Sequence, residues 1–332
     1  MITYKESGVD IDKGNRLVDN IKSFCKSLPS ENIISSIGGF SALYSLENFG
    51  SDIVLSSATD GVGTKLLVAQ MAGVHNSVGI DLVAMNVNDI ITNGTNPIFF
   101  LDYISYSDLD DQILSDLIKG ITKGLQLSNS ALIGGETAQM PGLYKKGEYD
   151  LAGFCVGIAN KNDLIKNDIK ENNCVIGVSS SGFHSNGYSL LRKLFFEVAG
   201  YKIDSLINGR NLSDILLKPT NIYVNLFKDI KKYTNAAVHI TGGGFYENIP
   251  RVLNKKFDVI IDRNSLPERE EFVLVQDIGK LSDYEMYRTF NMGIGFVVIV
   301  DEKDIKKIED VADEKFYRIG YITNGKGEVK IV

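Results

Sequence analysis

The stretch Ser56-Ser57-Ala58-Thr59-Asp60-Gly61-Val62-Gly63-Thr64-Lys65 follows the apolar run Asp52-Ile53-Val54-Leu55 and precedes Leu66-Leu67-Val68-Ala69. A short apolar run bounded by turn residues reads as a buried strand, and the run after Lys65 as the start of a helix, so the chain reads here as strand, loop, helix. Gly61 and Gly63 allow positive φ and close ligand approach, Asp60 offers a hard oxygen ligand, and Lys65 supplies a point charge suited to phosphate. Two readings follow: a metal-bridged polyphosphate site, or a tight turn whose Asp60 caps the helix. The common nucleotide cradles are excluded. A Walker A loop needs G-x-x-x-x-G-K-[ST], and a dinucleotide fingerprint needs a third glycine where Leu66 stands.

Working outward, residues 78–93 read as a helix. On its wheel Asp81, Asn88 and Asp89 share one sector beside Met85, while Leu82, Ala84, Val87 and Ile91 supply apolar contacts. A solvated face would carry Lys and Glu, so this stripe reads as facing a ligand. Residues 97–104 read as a buried strand and 110–126 as an amphipathic helix. Ala131-Leu132-Ile133 reads as a strand ending in the loop Gly134-Gly135-Glu136-Thr137-Ala138. Asp60, Asp89 and Glu136 thus each fall at or near an element end, where several such ends can meet at one cation. Adjacent carboxylates raise each other's pKa; a divalent ion removes that conflict, and oxygen-only ligands favour Mg2+ over zinc.

After a strand at 149–158, Asn160-Lys161-Asn162-Asp163 marks a boundary that divides the chain into domains 1–165 and 166–332. The second half restarts with the strand Cys174-Val175-Ile176-Gly177-Val178, a loop holding Ser180, Ser181, His184 and Asn186, and a helix at 188–198. Ala237-Val238-His239-Ile240 followed by Thr241-Gly242-Gly243-Gly244 repeats the layout. Small hydroxyls and glycines before a helix make an anion nest. Among the three histidines, His75 lies in a polar stretch and reads as surface. His184, inside a nest, reads as ligand or acid as readily as neither, and His239 as core or functional.

The 332 residues suggest two domains, each able to bury a core. A formal net charge of −7 without a long basic run argues against a nucleic-acid partner. Three widely spaced cysteines, Cys25, Cys155 and Cys174, read as free thiols in a reducing compartment. The polar start and the strand-length apolar runs argue against a leader or a membrane span, so a cytoplasmic protein is expected.

Taken together these segments resemble the aminoimidazole ribonucleotide synthetase family, almost end to end. The resemblance is carried by Gly8-Val9-Asp10-Ile11-Asp12, Asp60-Gly61-Val62-Gly63-Thr64-Lys65, Gly79-Ile80-Asp81 through Val87-Asn88-Asp89, Phe99-Phe100-Leu101-Asp102-Tyr103, Gly134-Gly135-Glu136-Thr137, His184-Ser185-Asn186-Gly187 and Thr241-Gly242-Gly243-Gly244. Gln139 departs from the family pattern, where Glu is expected. The resemblance implies a two-domain α/β fold, with N-terminal halves forming a β-barrel across a homodimer. It also implies an ATP-dependent cyclo-ligase that closes formylglycinamidine ribonucleotide to aminoimidazole ribonucleotide in purine biosynthesis. By that resemblance ATP and Mg2+ are the cofactors and Asp60, Asp89 and Glu136 the metal ligands. Asp81, Asn88, Gly61, Gly63 and Thr64 attend the nucleotide, and Lys65 and His184 assist catalysis. Ser180, Ser181, Asn186 and residues 241–244 would bind phosphate-bearing groups. Two rivals are weaker. A selenophosphate synthetase would need a reactive Cys beside an N-terminal glycine loop, and a non-catalytic nucleotide-binding subunit would not need all three acidic positions.

Overall fold

The computed structural model describes residues 3–5, 12, 32–34, 40–49, 51–311 and 314–332. Cys25 and residues Gly8 to Ile11 lie outside the described residues, as do Leu17, Ile21 and Phe24, whose spacing suggests a helix, and Gly38-Gly39, which suggests a turn.

The first half contains strands β1 (Ala42–Ser45), β2 (Ile53–Gly61), β3 (Asn96–Tyr106), β4 (Ala131–Gln139) and β5 (Tyr149–Asn160), with helices α1 (Lys65–Ala72), α2 (Asn76–Thr92) and α3 (Asp111–Ser128). The strands form one sheet in the order β1-β2-β5-β3-β4, mostly antiparallel; only β3 and β4 run parallel, with α3 as their crossover. Asp110 caps α3, accepting from the Gln112 N–H at 2.8 Å, which satisfies one of the orphan donors of its first turn. Val54, Ala58, Leu151, Cys155, Phe100 and Ile104 alternate along their strands and turn inward onto α2 and α3, as a period of two requires. α2 is buried almost throughout because it is covered twice, by this sheet and by the second domain.

Two expected loops are strand. β2 runs on through Ser56 to Gly61, paired with β5 as far as Gly61 opposite Ala152, so the turn before α1 is only Val62 to Thr64. β4 likewise runs on through Gly134, Gly135 and Glu136 beside β3. Gly135 serves packing: a Cβ there would lie 2.1 Å from Asp102 Oδ1.

The second half is a six-stranded sheet ordered β13-β10-β12-β6-β11-β9, with β6 (Cys174–Ser179), β9 (Thr234–His239), β10 (Phe257–Ile261), β11 (Ile294–Val300), β12 (Phe316–Asn324) and β13 (Val329–Ile331); β7 (Leu206–Ile207) and β8 (Arg210–Asn211) form a separate small hairpin. β11, between β6 and the edge strand β9, is buried along its whole length. Its Phe296, Val298 and Val300 face a core shared with the first domain, and its Val297 and Ile299 face a second core holding Phe245, Ile249 and Val259. The helix expected at 188–198 is α4 (Tyr188–Arg192) continued by a π-type turn at Lys193–Val198. α5 (Val224–Ile230) and α6 (Gly244–Asn248) flank β9 in sequence.

Candidate functional site

The polar stripe of α2 lies along the boundary between the domains, and the structure divides it into parts that bind protein and one part that does not. Asp81 is fully buried; it accepts from the Thr220 N–H at 2.7 Å and from the Thr220 hydroxyl at 2.6 Å, and pairs with Lys65 at 2.7 Å. Asn88 donates to the Asn221 carbonyl at 2.8 Å and accepts from the Tyr223 N–H at 2.9 Å. Both side chains, expected beside a nucleotide, therefore fasten the domains together.

Lys65 requires the larger correction. Its ammonium donates to the carbonyls of His184 at 2.9 Å and Lys218 at 2.7 Å as well as to Asp81, and the side chain has no solvent exposure. An ammonium has three N–H bonds, and all three are engaged, so none is left for a transferring phosphoryl group. Lys65 is a clamp between the domains. His184 is equally inward: buried, at φ +58°, with Nε2 accepting from the Ser181 N–H at 3.2 Å. Burial first, then the charges of His239, Lys65 and Arg269, push its pKa well below the ordinary histidine value. A neutral ring with no solvent access is a support for the loop at 180–186 and not an acid. His75, expected at the surface, is buried against Tyr149, its Nδ1 2.9 Å from the phenolic oxygen.

Asp89 is the member of the stripe that reaches outward, with 16 % of its side chain exposed. It stands close enough to Asp60, at the end of β2, for its charge to oppose Asp60's ionisation. Burial, then Asp89, raises the Asp60 carboxyl to about 6, against the smaller opposing effects of the Gly61 N–H, His239 and Arg251. Two carboxylates crowded in a half-dry place, with one of them reluctant to ionise, are a donor set suited to a hard divalent cation. His239, fully buried at the end of β9, meets Asp89 Oδ1 through Nδ1 at 2.8 Å. Arg251 lies in the field of both Asp60 and Asp89 and stacks on Phe40 at 4.8 Å.

Glu136 is not with them. Asp60, Gly153, Asp102 and Gly135 stand opposite one another across four strands, so they share a sheet face; Glu136, one residue on, belongs to the other. Three strand spacings also put β4 roughly 14 Å from β2. Among the described residues no three His, Cys, Asp or Glu side chains gather as a metal cluster. The loop reading is what put Glu136 beside Asp60: as a loop, residues 134–138 could curl toward Asp60, whereas as a strand they cannot.

The expected phosphate loops do meet. Asn186 Oδ1 lies 3.5 Å from where a Cβ on Gly242 would stand, and Asn186 Nδ2 is buried without a hydrogen-bond partner among the described residues. Gly243 and Gly244 hold φ at +92° and +56°, the left-handed conformations that turn backbone N–H groups to one side. Thr64 Oγ1 is 3.2 Å from Ser189 Oγ, which brings the exposed Gly63–Thr64 turn to the start of α4. Ser180 and Ser181 spend their hydroxyls internally, on Gly182 and Asn291 and on the Pro219 carbonyl. Sequence reasoning passed over Thr220, Asn221 and Tyr223. Their one signal is the polar break Lys218-Pro219-Thr220-Asn221 between two helical runs, which marks a loop without saying what it touches.

Comparisons with known proteins accord with this architecture. The model of the AIR synthase related protein N-terminal domain matches residues 41–159, and that of the C-terminal domain matches residues 170–332. A phosphoribosylformylglycinamidine cyclo-ligase of Thermoanaerobacter pseudethanolicus is 49% identical over 99% of this chain and 99% of its own. One of Geobacter sulfurreducens is 50% identical over 92% of this chain and 90% of its own. A solved structure described as AaThiL complexed with AMPPCP and TMP superposes with a TM-score of 0.68 at 19% identity, covering 95% of this chain and 92% of that one, which speaks to the fold alone.

Proposed function

From the premise that this chain belongs to the AIR synthase-related family in both of its domains, we propose how its site carries out an ATP-dependent ring closure. The enzyme is a cyclo-ligase of purine biosynthesis, converting formylglycinamidine ribonucleotide and ATP to aminoimidazole ribonucleotide, ADP and phosphate. The formamide carbonyl is a poor electrophile with a poor leaving group. Transfer of the γ-phosphoryl group to its oxygen supplies both needs; the amidine nitrogen then attacks that carbon and phosphate leaves.

The observation that carries the site assignment is the Asp60 and Asp89 pair at the domain boundary, with Asp60 raised to about 6. These two carboxylates would hold Mg2+, which when bound neutralises polyphosphate charge. Arg251, in the field of the same pair, is positioned to attend an anionic group, and Asn186 with the 241–244 turn offers donors for a phosphate-bearing substrate. Lys65, Asp81 and Asn88 would serve by fixing the domains at the spacing the two substrates need.

A second copy is part of the reading. Tyr44, Tyr103 and Phe154 leave large apolar side chains in solvent on the outer face of the first sheet, up to 42 % exposed. Two such faces packed together would bury them and would give Glu136 an environment that one chain alone does not provide. The cytoplasm is the expected compartment. Asp60→Asn and Asp89→Asn are each expected to lower turnover by at least ~100-fold while leaving the circular dichroism spectrum unchanged. The readout is phosphate release dependent on formylglycinamidine ribonucleotide, and full activity in either variant would remove the carboxylate pair from the mechanism.

A further inference from the structure

We infer that His239 is a positioning residue: from the second domain, its imidazole fixes the orientation of the Asp89 carboxylate in the first. A carboxylate only accepts, so the 2.8 Å contact between His239 Nδ1 and Asp89 Oδ1 puts the ring proton on Nδ1. The ring's other edge is also occupied. Nε2 lies 3.5 Å from Asn88 Nδ2, and that amide is itself held by the Asn221 carbonyl and the Tyr223 N–H. Below the ring, His239 is registered opposite Phe296 in the buried strand β11, and the side chain has no solvent exposure. One end of the contact is therefore anchored in a core while the other, Asp89, emerges beside Asp60 and Arg251.

Two consequences separate this role from ordinary packing. With Oδ1 engaged by Nδ1–H, the Asp89 carboxylate cannot turn freely, and a carboxylate held in a fixed direction is what a cation ligand requires. His239 also stands two residues before Thr241, so the same contact sets the reach from Asp89 to the turn at 241–244. The inference rests on the reading that Asp60 and Asp89 hold the cation.

The test uses the full-length enzyme and Mn2+ as the probe, its affinity measured by titration with a non-hydrolysable ATP analogue present, alongside kcat, KM and the thermal midpoint. His239→Asn places an amide N–H near the position of Nδ1, and His239→Gln places one near Nε2. His239→Asn is expected to bind Mn2+ within about threefold of the wild type. His239→Gln is expected to lose about 10- to 100-fold in Mn2+ affinity, with kcat falling and the KM for formylglycinamidine ribonucleotide held. His239→Leu, close in volume, replaces it should the Gln variant fail to fold. Introduced into Asp89→Asn, the His239→Gln change should have no further effect on Mn2+. If Mn2+ binding is indifferent to Asp89→Asn, the underlying metal reading falls. If binding depends on Asp89 but His239→Gln and His239→Leu bind as tightly as the wild type, His239 does not position it.

Discussion

Removing the ammonium of Lys65 would strand the Asp81 carboxylate where no water reaches it. Breaking a buried ion pair by deleting one partner costs about 3–5 kcal/mol, mostly because the remaining charge stays uncompensated. Lys65→Met is therefore expected to lower the unfolding free energy by about that much in urea, followed by circular dichroism because the chain has no tryptophan. Adding Asp81→Leu should recover part of the loss, since the second charge is then gone. A Lys65 that only touched phosphate would behave otherwise: Lys65→Met would leave stability intact and reduce activity alone. The residue type at position 65 was legible in the sequence, and so was its neighbourhood of glycines. What a lysine on that turn reaches was not, because its partners, the carbonyls of His184 and Lys218, lie far along the chain.

Helix α2 crosses α3 unusually closely, and two glycines make the crossing. A Cβ on Gly120 would lie 2.0 Å from the Asn76 carbonyl oxygen, and one on Gly79 would lie 2.4 Å from that of Leu117. Helix propensity alone favours Gly→Ala by about 1 kcal/mol. Backbone cannot yield as a flexible side chain would, so Gly120→Ala is expected to destabilise by about 1–3 kcal/mol, a sign opposite to the propensity, readable as a lower thermal midpoint. The strand β10 depends on another local device. Asp258 pairs with Lys330 at 2.7 Å and accepts from the N–H groups of Glu328 and Lys326 at 2.9 and 2.6 Å, which together hold its carboxyl well below the usual range, and it also accepts from the Gly327 N–H at 3.0 Å. A depressed folded pKa contributes stability above the unfolded value of about 3.9 and loses it as pH falls from there toward the folded value. Asp258→Asn should thus cost about 1–3 kcal/mol at pH 7, with the gap from the wild type narrowing steadily below about pH 4 in denaturant titrations. Hydrophobic period gave the existence of α2, α3 and most strands, with ends shifted by one or two residues at many of them. It failed at Ser56 to Gly61 and at Gly134 to Gln139, where small and polar residues read as loop but pair as strand because β5 and β3 lie alongside.

On the scale of the whole molecule, the exposed sheet face is the seat of the proposed dimer. Phe154, at 42 % exposure, sits on β5 between β2 and β3, and Tyr103, at 38 %, lies on the same outer face of the neighbouring β3. Such a face on an isolated chain would be an aggregation surface, and an exposed edge strand adds to the hazard. Phe154→Lys together with Tyr103→Lys is expected to convert a dimer to a monomer at micromolar concentration in sedimentation velocity, with loss of turnover. A wild-type chain that sediments as a monomer would end this reading. The domain boundary, by contrast, is held by directed polar contacts: Lys65, Asp81, Asn88 and Asp89 each reach a partner in the second half.

The sequence by itself determined the two α/β halves, the chemistry of the family and the presence of acidic and glycine-rich segments, because those depend on residue type and on periods of 2 and 3.6 within a short window. Only the tertiary structure decided which acidic groups meet. A helical wheel puts Asp81, Asn88 and Asp89 on one side, yet it cannot say that this side faces Thr220, Asn221 and His239 of another domain. Nor can strand alternation be counted until a segment is known to be strand, which is why Glu136 stood with Asp60 on paper and turns to the opposite face in the fold.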